Sequence, residues 1–265
     1  MFLSTWNASL ARLKANTGFK NRGREVFNHH AYPQILRMIV GGVLCGGLGK
    51  RLRPLTDNVP KPLLEIGRNL TILDRLIMQM KQAGVSNVYL LAGYQHEKLV
   101  KRYGKNWRSV RIHYIVEDKP RGTLYAINSL LSSVESDLYL VMNGDIVTDI
   151  DLSRMISEWK PGTVSMALTS LRSPYGVVQV SGEKITGFEE KPVLPHYINA
   201  GIYLIDAGLK HRFLEYEEGD VEKLVFPRLA GEGLLRRYFE AETYWKSIDT
   251  VKDLEEVRMR LSSQG

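Results

Sequence analysis

A dense group of glycines and cations lies near residue 50 of this 265-residue chain. Its members are Gly46, Gly47, Gly49, Lys50 and Arg51. Glycines allow backbone N–H groups to approach a polyphosphate closely, and neighbouring cations supply the opposing charge. Residue types in this order therefore predict a loop that binds a phosphorylated ligand.

Two common phosphate-binding loops do not fit this segment. A Walker A loop requires Ser or Thr after its Gly-Lys pair, whereas Arg51 follows Lys50 here. A dinucleotide fingerprint G-x-G-x-x-G that starts at Gly47 requires glycine at the position of Leu52. The loop therefore belongs to another class of phosphate-binding protein.

Residues 46–56, G-G-L-G-K-R-L-R-P-L-T, and residues 60–63, P-K-P-L, resemble the signature of the sugar-1-phosphate nucleotidyltransferases. The resemblance extends from residue 38 to about residue 258. Members of this family join a sugar 1-phosphate to a nucleoside triphosphate and release pyrophosphate. The resemblance therefore implies a transferase with an NTP and a sugar 1-phosphate as its substrates.

The same resemblance implies roles for individual residues of the loop. Arg51 and Lys61 would hold the triphosphate and neutralise charge on the departing pyrophosphate. The nucleotide contacts implied at the loop are Leu44, Gly46, Gly47 and Gly49. For the Lys50-Arg51 pair, the structural alternative is a surface charge cluster beside a turn.

Asp145 follows an apolar run at residues 138–142, and the resemblance identifies it with the family's first magnesium ligand. Hard cations such as Mg²⁺ bind carboxylate oxygens, so a second acid is expected nearby. The family's usual W-x-D-x-G-T motif has Ser247 at the acid's position here, and Asp249 lies two residues on. Because alternate strand residues share a face, Asp249 is predicted as the second ligand. The alternatives are a turn or helix N-cap for Asp145 and an N-cap of a final helix at 251–261 for Asp249.

A sugar-phosphate site is implied by the resemblance of E-E-K-P at residues 189–192 and N-A-G-I-Y at residues 199–203. Lys191 would contact the phosphate, and Glu190 and Asn199 would bind sugar hydroxyls. Gly176 would let the backbone close on the sugar. The alternative for the Glu-Glu-Lys run is a solvated surface.

The base is predicted to contact Glu117 and Gly122. Family members that use uracil or thymine commonly carry Gln at the first position, whereas a carboxylate only accepts hydrogen bonds. Guanine offers N1–H and N2–H₂ side by side, so Glu117 favours GTP. An exposed acid in a turn is the alternative for Glu117.

Residues 198–203 and 221–227 further resemble segments of mannose-1-phosphate guanylyltransferases, which implies GTP and mannose 1-phosphate as substrates and GDP-mannose as product. Two alternatives stay open. One is a family member that uses UTP, dTTP or CTP, and the other is a non-catalytic regulatory protein of this fold. Ser247 supports the second alternative. The joint presence of Arg51, Lys61, Asp145, Glu190 and Lys191 opposes it, because a binding-only module has no chemical need for that set.

Strand-like and helical patterns alternate from residue 38 onward and must position these residues. Strand-like runs occupy 38–44, 88–91, 111–116 and 138–142, and helical spacing occurs at 73–80 and 124–131. After residue 163, strand-like runs at 164–169, 177–180, 184–188 and 201–205 predict a mixed-sheet extension. The prediction is an α/β protein with a Rossmann-like, doubly wound mixed sheet in three α/β/α layers, the nucleotide-diphospho-sugar transferase fold. In such sheets ligands bind beyond the carboxyl ends of the strands.

Composition and charge set further limits. Residues 1–37 carry six basic residues and one acidic residue, which gives +5 of the formal net charge of +7. We predict a basic N-terminal extension at 1–37, either flexible or not translated, and a catalytic domain at 38–265. No RNA-binding motif and no run of ~20 apolar residues is present, so neither a nucleic-acid nor a membrane partner is predicted. The single cysteine, Cys45, excludes an internal disulfide, and a cytoplasmic location is expected. A homodimer is an open alternative to a monomer.

Overall fold

The structure is a computed structural model that describes residues 37–67 and 69–263. The predicted extension at 1–37 lies outside the described residues, except for Arg37. Within the described ranges, no helix has the length and apolar character needed to cross a bilayer.

The described strands are β1 Ile39–Leu44, β2 Glu65–Gly67, β3 Leu70–Thr71, β4 Asn87–Ala92, β5 Asn106–Trp107, β6 Val110–Val116, β7 Leu138–Asn143, β8 Ile146–Thr148, β9 Val164–Arg172, β10 Val177–Ser181, β11 Lys184–Glu189, β12 Val193–Asp206, β13 Leu235–Phe239 and β14 Trp245–Ser247. The described helices are α1 Ile72–Gln82, α2 His96–Tyr103, α3 Thr123–Ser133, α4 Leu152–Ser157, α5 Lys210–Leu214, α6 Val221–Leu224, α7 Phe226–Gly231 and α8 Val251–Ser263. Short 3-10 turns occupy Lys50–Leu52, Lys61–Leu63 and Ala207–Leu209.

A central mixed sheet organises the fold. Eight of the described strands form it in the order β13-β9-β12-β7-β1-β4-β6-β5. Strand β1 runs parallel to its neighbours β7 and β4, and β12 runs antiparallel to β7 and β9. The predicted α/β class with a doubly wound mixed sheet is therefore confirmed.

Both faces of the sheet are covered because its central strands are apolar on both sides. In β7, Leu138, Leu140 and Met142 belong to one hydrophobic cluster, whereas Tyr139 and Val141 belong to another. Successive strand residues point to opposite faces, so the two clusters lie on opposite sides of the sheet. The first cluster contains the buried face of α1 and α8, and the second contains that of α3. This arrangement gives the predicted three layers.

A small two-stranded sheet completes the edge where the site forms. Strand β14 pairs antiparallel with β8, with Ser247 opposite Ile146. The backbone N–H of Ile248 donates to the carbonyl of Asp145 at 2.8 Å. This pairing brings the residues after β14 next to the residues after β7.

Candidate active site

A cavity of about 270 Å³ opens at the carboxyl ends of the central strands. The predicted nucleotide-binding residues on its wall are Leu44, Gly46, Gly47, Glu117 and Gly122. They come from the ends of β1 and β6 and from the start of α3, which are distant in sequence. Gly49 lines an adjoining cavity of about 190 Å³ together with Arg51, Lys61, Asp145 and Asp249.

Glu117 packs its carboxylate against the glycine loop. A Cβ atom at Gly46 would lie 2.5 Å from Glu117 Oε1, so a larger residue at position 46 would displace this carboxylate. Oε2 of Glu117 is buried and has no hydrogen-bond partner among the described residues. Burial raises the pKa of the Glu117 carboxyl, and the backbone N–H of Arg121 opposes that shift. Glu117 thus contributes to the cavity wall a carboxyl group that, when ionised, only accepts hydrogen bonds.

Position 122 requires glycine because the backbone of another segment lies very close to it. Its φ is +92°, and a Cβ atom there would lie 2.2 Å from the carbonyl oxygen of Gly219. The N–H of Leu124 donates to the same carbonyl at 2.9 Å. The cavity wall at the start of α3 is thus fixed by the segment that leads into α6.

Two carboxylates and two cations meet in the adjoining cavity. The Lys61 ammonium lies 2.7 Å from Asp145 Oδ2 and 3.2 Å from Asp249 Oδ1. Arg51 reaches the same Asp249 oxygen at 2.7 Å, and Ser247 Oγ donates to Asp249 Oδ2 at 3.0 Å. The Lys61 side chain is only 12% exposed, whereas that of Arg51 is 74% exposed. These two cations and two acids, all predicted from the sequence, are therefore brought together in space.

The position of Asp249 excludes one of its alternatives. Helix α8 begins at Val251, and Thr250 accepts from the N–H of Asp253 at 3.3 Å. Asp253 in turn accepts from the N–H of Thr250 at 2.8 Å. Thr250 is therefore the N-cap of α8, and the side chain of Asp249 faces the cations instead.

The two carboxylates fit a magnesium ion by their chemistry, because Mg²⁺ prefers oxygen ligands and is usually held by one or two carboxylates and by substrate phosphates. Their convergence on one ammonium shows that both oxygens can face a single cation. Among the described residues, no group of three or more His, Cys, Asp or Glu side chains is arranged to hold a metal. A metal role for Asp145 and Asp249 stays a prediction.

The predicted sugar-phosphate residues form a separate group. A Cβ atom at Gly176 would lie 3.0 Å from Glu190 Oε2, and Lys191 Nζ lies 3.5 Å from Glu190 Oε1. The side chains of Lys191 and Glu190 are more than half exposed, and neither residue lines the two cavities described above. Asn199 donates to Tyr203 Oη and accepts from the N–H of Gly201, both at 2.8 Å. The structure thus brings Gly176, Glu190 and Lys191 together, whereas the side chain of Asn199 is hydrogen-bonded within β12.

The sequence analysis missed several residues on the wall of the larger cavity. They include Pro62, Pro120, Thr123, Ala126 and Asn143. Asn143 is the last residue of β7, so the rule that ligands bind beyond strand ends was a signal that could have found it. For Ala126, which lies inside α3, no such signal existed.

Residues 40–264 match the family model described as Nucleotidyl transferase, and the chain belongs to this family. It is 33% identical over 226 residues to a mannose-1-phosphate guanyltransferase of Aspergillus fumigatus. It is 30% identical over 220 residues to a mannose-1-phosphate guanylyltransferase of Mycobacterium tuberculosis. Each match covers 80% of this chain but only 61% of the relative. The predicted family resemblance is confirmed.

A solved structure supports the fold. The crystal structure of HddC from Yersinia pseudotuberculosis superimposes with a TM-score of 0.67 at 21% identity. The superposition covers 84% of this chain and 99% of HddC. At this identity the likeness concerns the fold alone.

Proposed function

We propose that the protein transfers a nucleotidyl group from a nucleoside triphosphate to a sugar 1-phosphate. The observation that carries the proposal is the meeting of Arg51, Lys61, Asp145 and Asp249 beside a strand-end cavity in a member of this family. Phosphoryl transfer requires positioning and charge neutralisation, and this set provides both.

In the proposed reaction, a phosphate oxygen of the sugar 1-phosphate attacks the α-phosphorus in line with the departing pyrophosphate. A new P–O bond forms as the bond to the β-phosphate oxygen breaks, and the electron pair leaves with pyrophosphate. No general base is required, because the nucleophile is already an anion at neutral pH. Catalysis therefore rests on bringing two anions together and on stabilising charge on the leaving oxygens.

In this reaction, the cationic residues of the chain bind substrate phosphates, and its acidic residues bind the metal. Arg51 and Lys61 bind the triphosphate, and Lys191 binds the phosphate of the sugar 1-phosphate. Bound Mg²⁺ would supply further positive charge near the reacting phosphates, with Asp145 and Asp249 as its protein ligands. In the free protein these carboxylates are paired with Lys61 and Arg51. When substrate and metal bind, the ion pairs between these carboxylates and the two cations are therefore replaced by ion pairs of the carboxylates with the metal and of the cations with phosphate.

GTP and mannose 1-phosphate are the substrates that we propose, with GDP-mannose as the product. The carboxylate of Glu117 on the cavity wall supports guanine, since a carboxylate only accepts hydrogen bonds and guanine N1–H and N2–H₂ are adjacent donors. The names of the relatives favour the same pair. UTP, dTTP or CTP as the nucleotide, and a regulatory protein without catalysis, are the alternatives.

The deciding experiment measures pyrophosphate release for four triphosphates, each with several sugar 1-phosphates, in the presence of Mg²⁺. The proposal expects turnover, with the highest kcat/KM for GTP with mannose 1-phosphate. A preference for another triphosphate would refute the substrate assignment alone. No turnover with any pair would favour the regulatory alternative.

A further inference from the structure

The hairpin formed by β10 and β11 is separate from the central sheet. Among the described strands, these two pair only with each other, so each of them has one unpaired edge. Every residue of the two strands is exposed except Gly187, which is partly buried. A two-stranded ribbon is only marginally stable in water, and an unpaired edge can accept a further strand. The hairpin therefore offers an edge to which another strand can bind.

One face of this hairpin is apolar. Val178 lies opposite Phe188, and Val180 lies opposite Ile185. Directly opposed residues share a face of a sheet, and so do alternate residues of one strand, so all four side chains point to the same side. They are 46% to 69% exposed. Ile185 and Phe188 of β11 therefore present apolar surface on one face of the hairpin.

The charged residues at the two ends of β11 lie on the opposite face. Lys184 pairs with Ser181, and Glu189 pairs with Val177. In a regular strand, residues an odd number of steps apart point to opposite faces. Here the register with β10 shifts and leaves Thr186 without a partner in β10, so Lys184 and Glu189 share a face. The same irregularity places Ile185 and Phe188 together on the apolar face.

Strand β11 is complementary to itself in the antiparallel direction. Two copies of this strand can be aligned so that three kinds of cross-strand pair form: Lys184 with Glu189, Ile185 with Phe188, and Thr186 with Gly187. Because the first two pairs each join residues that share a face, the opposed side chains meet across the strands. Opposite charges are a stabilising cross-strand pair, and so is an aromatic residue opposite a β-branched one.

We propose that β11 pairs antiparallel with β11 of a second copy of this chain, so that the two hairpins form one four-stranded sheet. The same strand serves both copies, so the contact has twofold symmetry and every cross-strand pair occurs twice. A pair of strands of this length buries less surface than the ~1,200–2,000 Å² of a standard interface. The dimer is therefore weak, and its Kd is expected in the micromolar range.

Sedimentation velocity of the full chain over a range of micromolar concentrations tests the proposal. Wild type is expected to shift reversibly from monomer toward dimer as its concentration rises. Lys184→Glu places two carboxylates opposite each other, and Glu189→Lys places two ammonium groups opposite each other. Each variant should weaken dimerisation at least about tenfold, because like charges directly opposite are destabilising and the symmetry repeats the contact.

Mixing the two variants separates this strand pairing from a general effect of charge. In an equimolar mixture of Lys184→Glu and Glu189→Lys, both contacts of a mixed dimer join a carboxylate to an ammonium group. The mixture should therefore dimerise with an affinity close to that of wild type, and so should the chain that carries both substitutions. Lys101→Glu, at an exposed position of α2, is the control and should leave the affinity unchanged. Circular dichroism checks the fold of each variant.

Three results would overturn the proposal. If wild type stays monomeric at several hundred micromolar, Lys184 instead keeps this edge unpaired, as lysines on edge strands do. If a dimer forms that neither single substitution weakens, its interface lies elsewhere on the molecule. If the two variants are folded but their mixture does not dimerise, the two charges are not opposite each other. The proposed transferase function is tested separately, by pyrophosphate release.

Discussion

Lys61 is an internal counter-ion as well as a proposed phosphate ligand. Its ammonium, largely shielded from solvent, lies between the Asp145 and Asp249 carboxylates. Without it, two neighbouring carboxylates would face each other with only Arg51 close by. In the proposed reaction, a divalent cation that binds these carboxylates would compete with the lysine, so the same residue would oppose metal binding in the free protein and assist catalysis in the complex.

Because of this dual role, Lys61→Ala should strengthen metal binding in the free protein but slow turnover. In the absence of nucleotide, the variant should bind Mn²⁺ about tenfold more tightly, because a charged hydrogen bond worth ~1.5–3 kcal/mol no longer competes. Its kcat should fall ~10²–10³-fold, since a cation at the departing charge is missing. Paramagnetic resonance of Mn²⁺ and pyrophosphate release measure the two effects. Lys101→Ala, on an exposed position of α2, should change neither. Weaker Mn²⁺ binding by Lys61→Ala would contradict the counter-ion role.

Glu117 predicts a pH dependence whose sign follows from its environment. Burial raises the pKa of this carboxyl above its ordinary value. As the pH falls through that raised pKa, the group gains a proton and no longer offers two acceptors to guanine. kcat/KM for GTP should therefore decline on the acid side at a pH above the ordinary Glu range.

Glu117→Gln should remove that acid limb and lower kcat/KM for GTP roughly tenfold, because an N–H then faces a guanine donor. The carboxyl's raised pKa means that its ionised form disfavours folding at neutral pH, so the variant should be no less stable than wild type. Asp118→Asn makes the same charge change at the adjacent exposed residue and serves as the control. An acid limb that persists in Glu117→Gln would show that another group titrates.

At the scale of secondary-structure elements, the junction between β14 and α8 presents Asp249 to the cations. Pairing of β14 with β8 fixes one end, and the Thr250–Asp253 cap fixes the other. Because Thr250 caps the helix, removal of the Asp249 side chain leaves that cap intact.

Asp249→Ala should therefore fold, yet need at least about tenfold more Mg²⁺ for half-maximal turnover, because one of two charged oxygen ligands is lost. Ser247→Ala removes only a hydroxyl that donates to Asp249, and it should change the requirement little. Circular dichroism checks the fold, and a Mg²⁺ titration of turnover checks the requirement. The reverse order of effects would place Ser247, not Asp249, at the metal.

Elements with strong periodicity were predictable, and elements held by distant partners were not. The apolar runs of β1, β4, β6 and β7 and the helical spacing of α1 and α3 appear where the sequence analysis placed them. It did not predict β5, which has two residues, or α2, of which only Leu99 and Tyr103 are buried. Such short or mostly exposed elements carry too few apolar positions to define a period.

The residues of the candidate site likewise include some that the sequence predicts and contacts that it does not predict. The strand-end rule and the glycine loop led to the cavity residues, because both signals are local in sequence. The shared contact of Lys61 with Asp145 and Asp249 depends on the β8–β14 pairing, which joins segments about 100 residues apart. The hydrogen bonds of Asn199 are local to β12, but β12 has an irregular register with β9 between Asn199 and Tyr203, which the apolar pattern did not indicate.

At the scale of the whole molecule, the described residues form a hydrophobic cluster on each face of the central sheet. Strand β1 lies between β7 and β4 at the centre of the sheet, and Val40 and Val43 contribute to the clusters on opposite faces. At the start of this strand, the N–H of Met38 donates to Asp137 Oδ2 at 2.7 Å. The boundary predicted at residue 38 therefore coincides with the anchored start of the central strand, and it stays a prediction.

A chain shortened to begin at Met38 should therefore fold and release pyrophosphate at the rate of the full chain. Its new terminal amine can still donate to Asp137, and the strands and both clusters described above are retained. Thermal unfolding and kcat with GTP and mannose 1-phosphate are the measurements. A chain that begins at Cys45 is the matched control, because it lacks β1 and should be insoluble, since a central strand cannot be removed without exposing both layers. If the Met38 chain is also insoluble or inactive, residues 1–37 contribute to the fold or to the site, and the domain boundary at residue 38 is wrong.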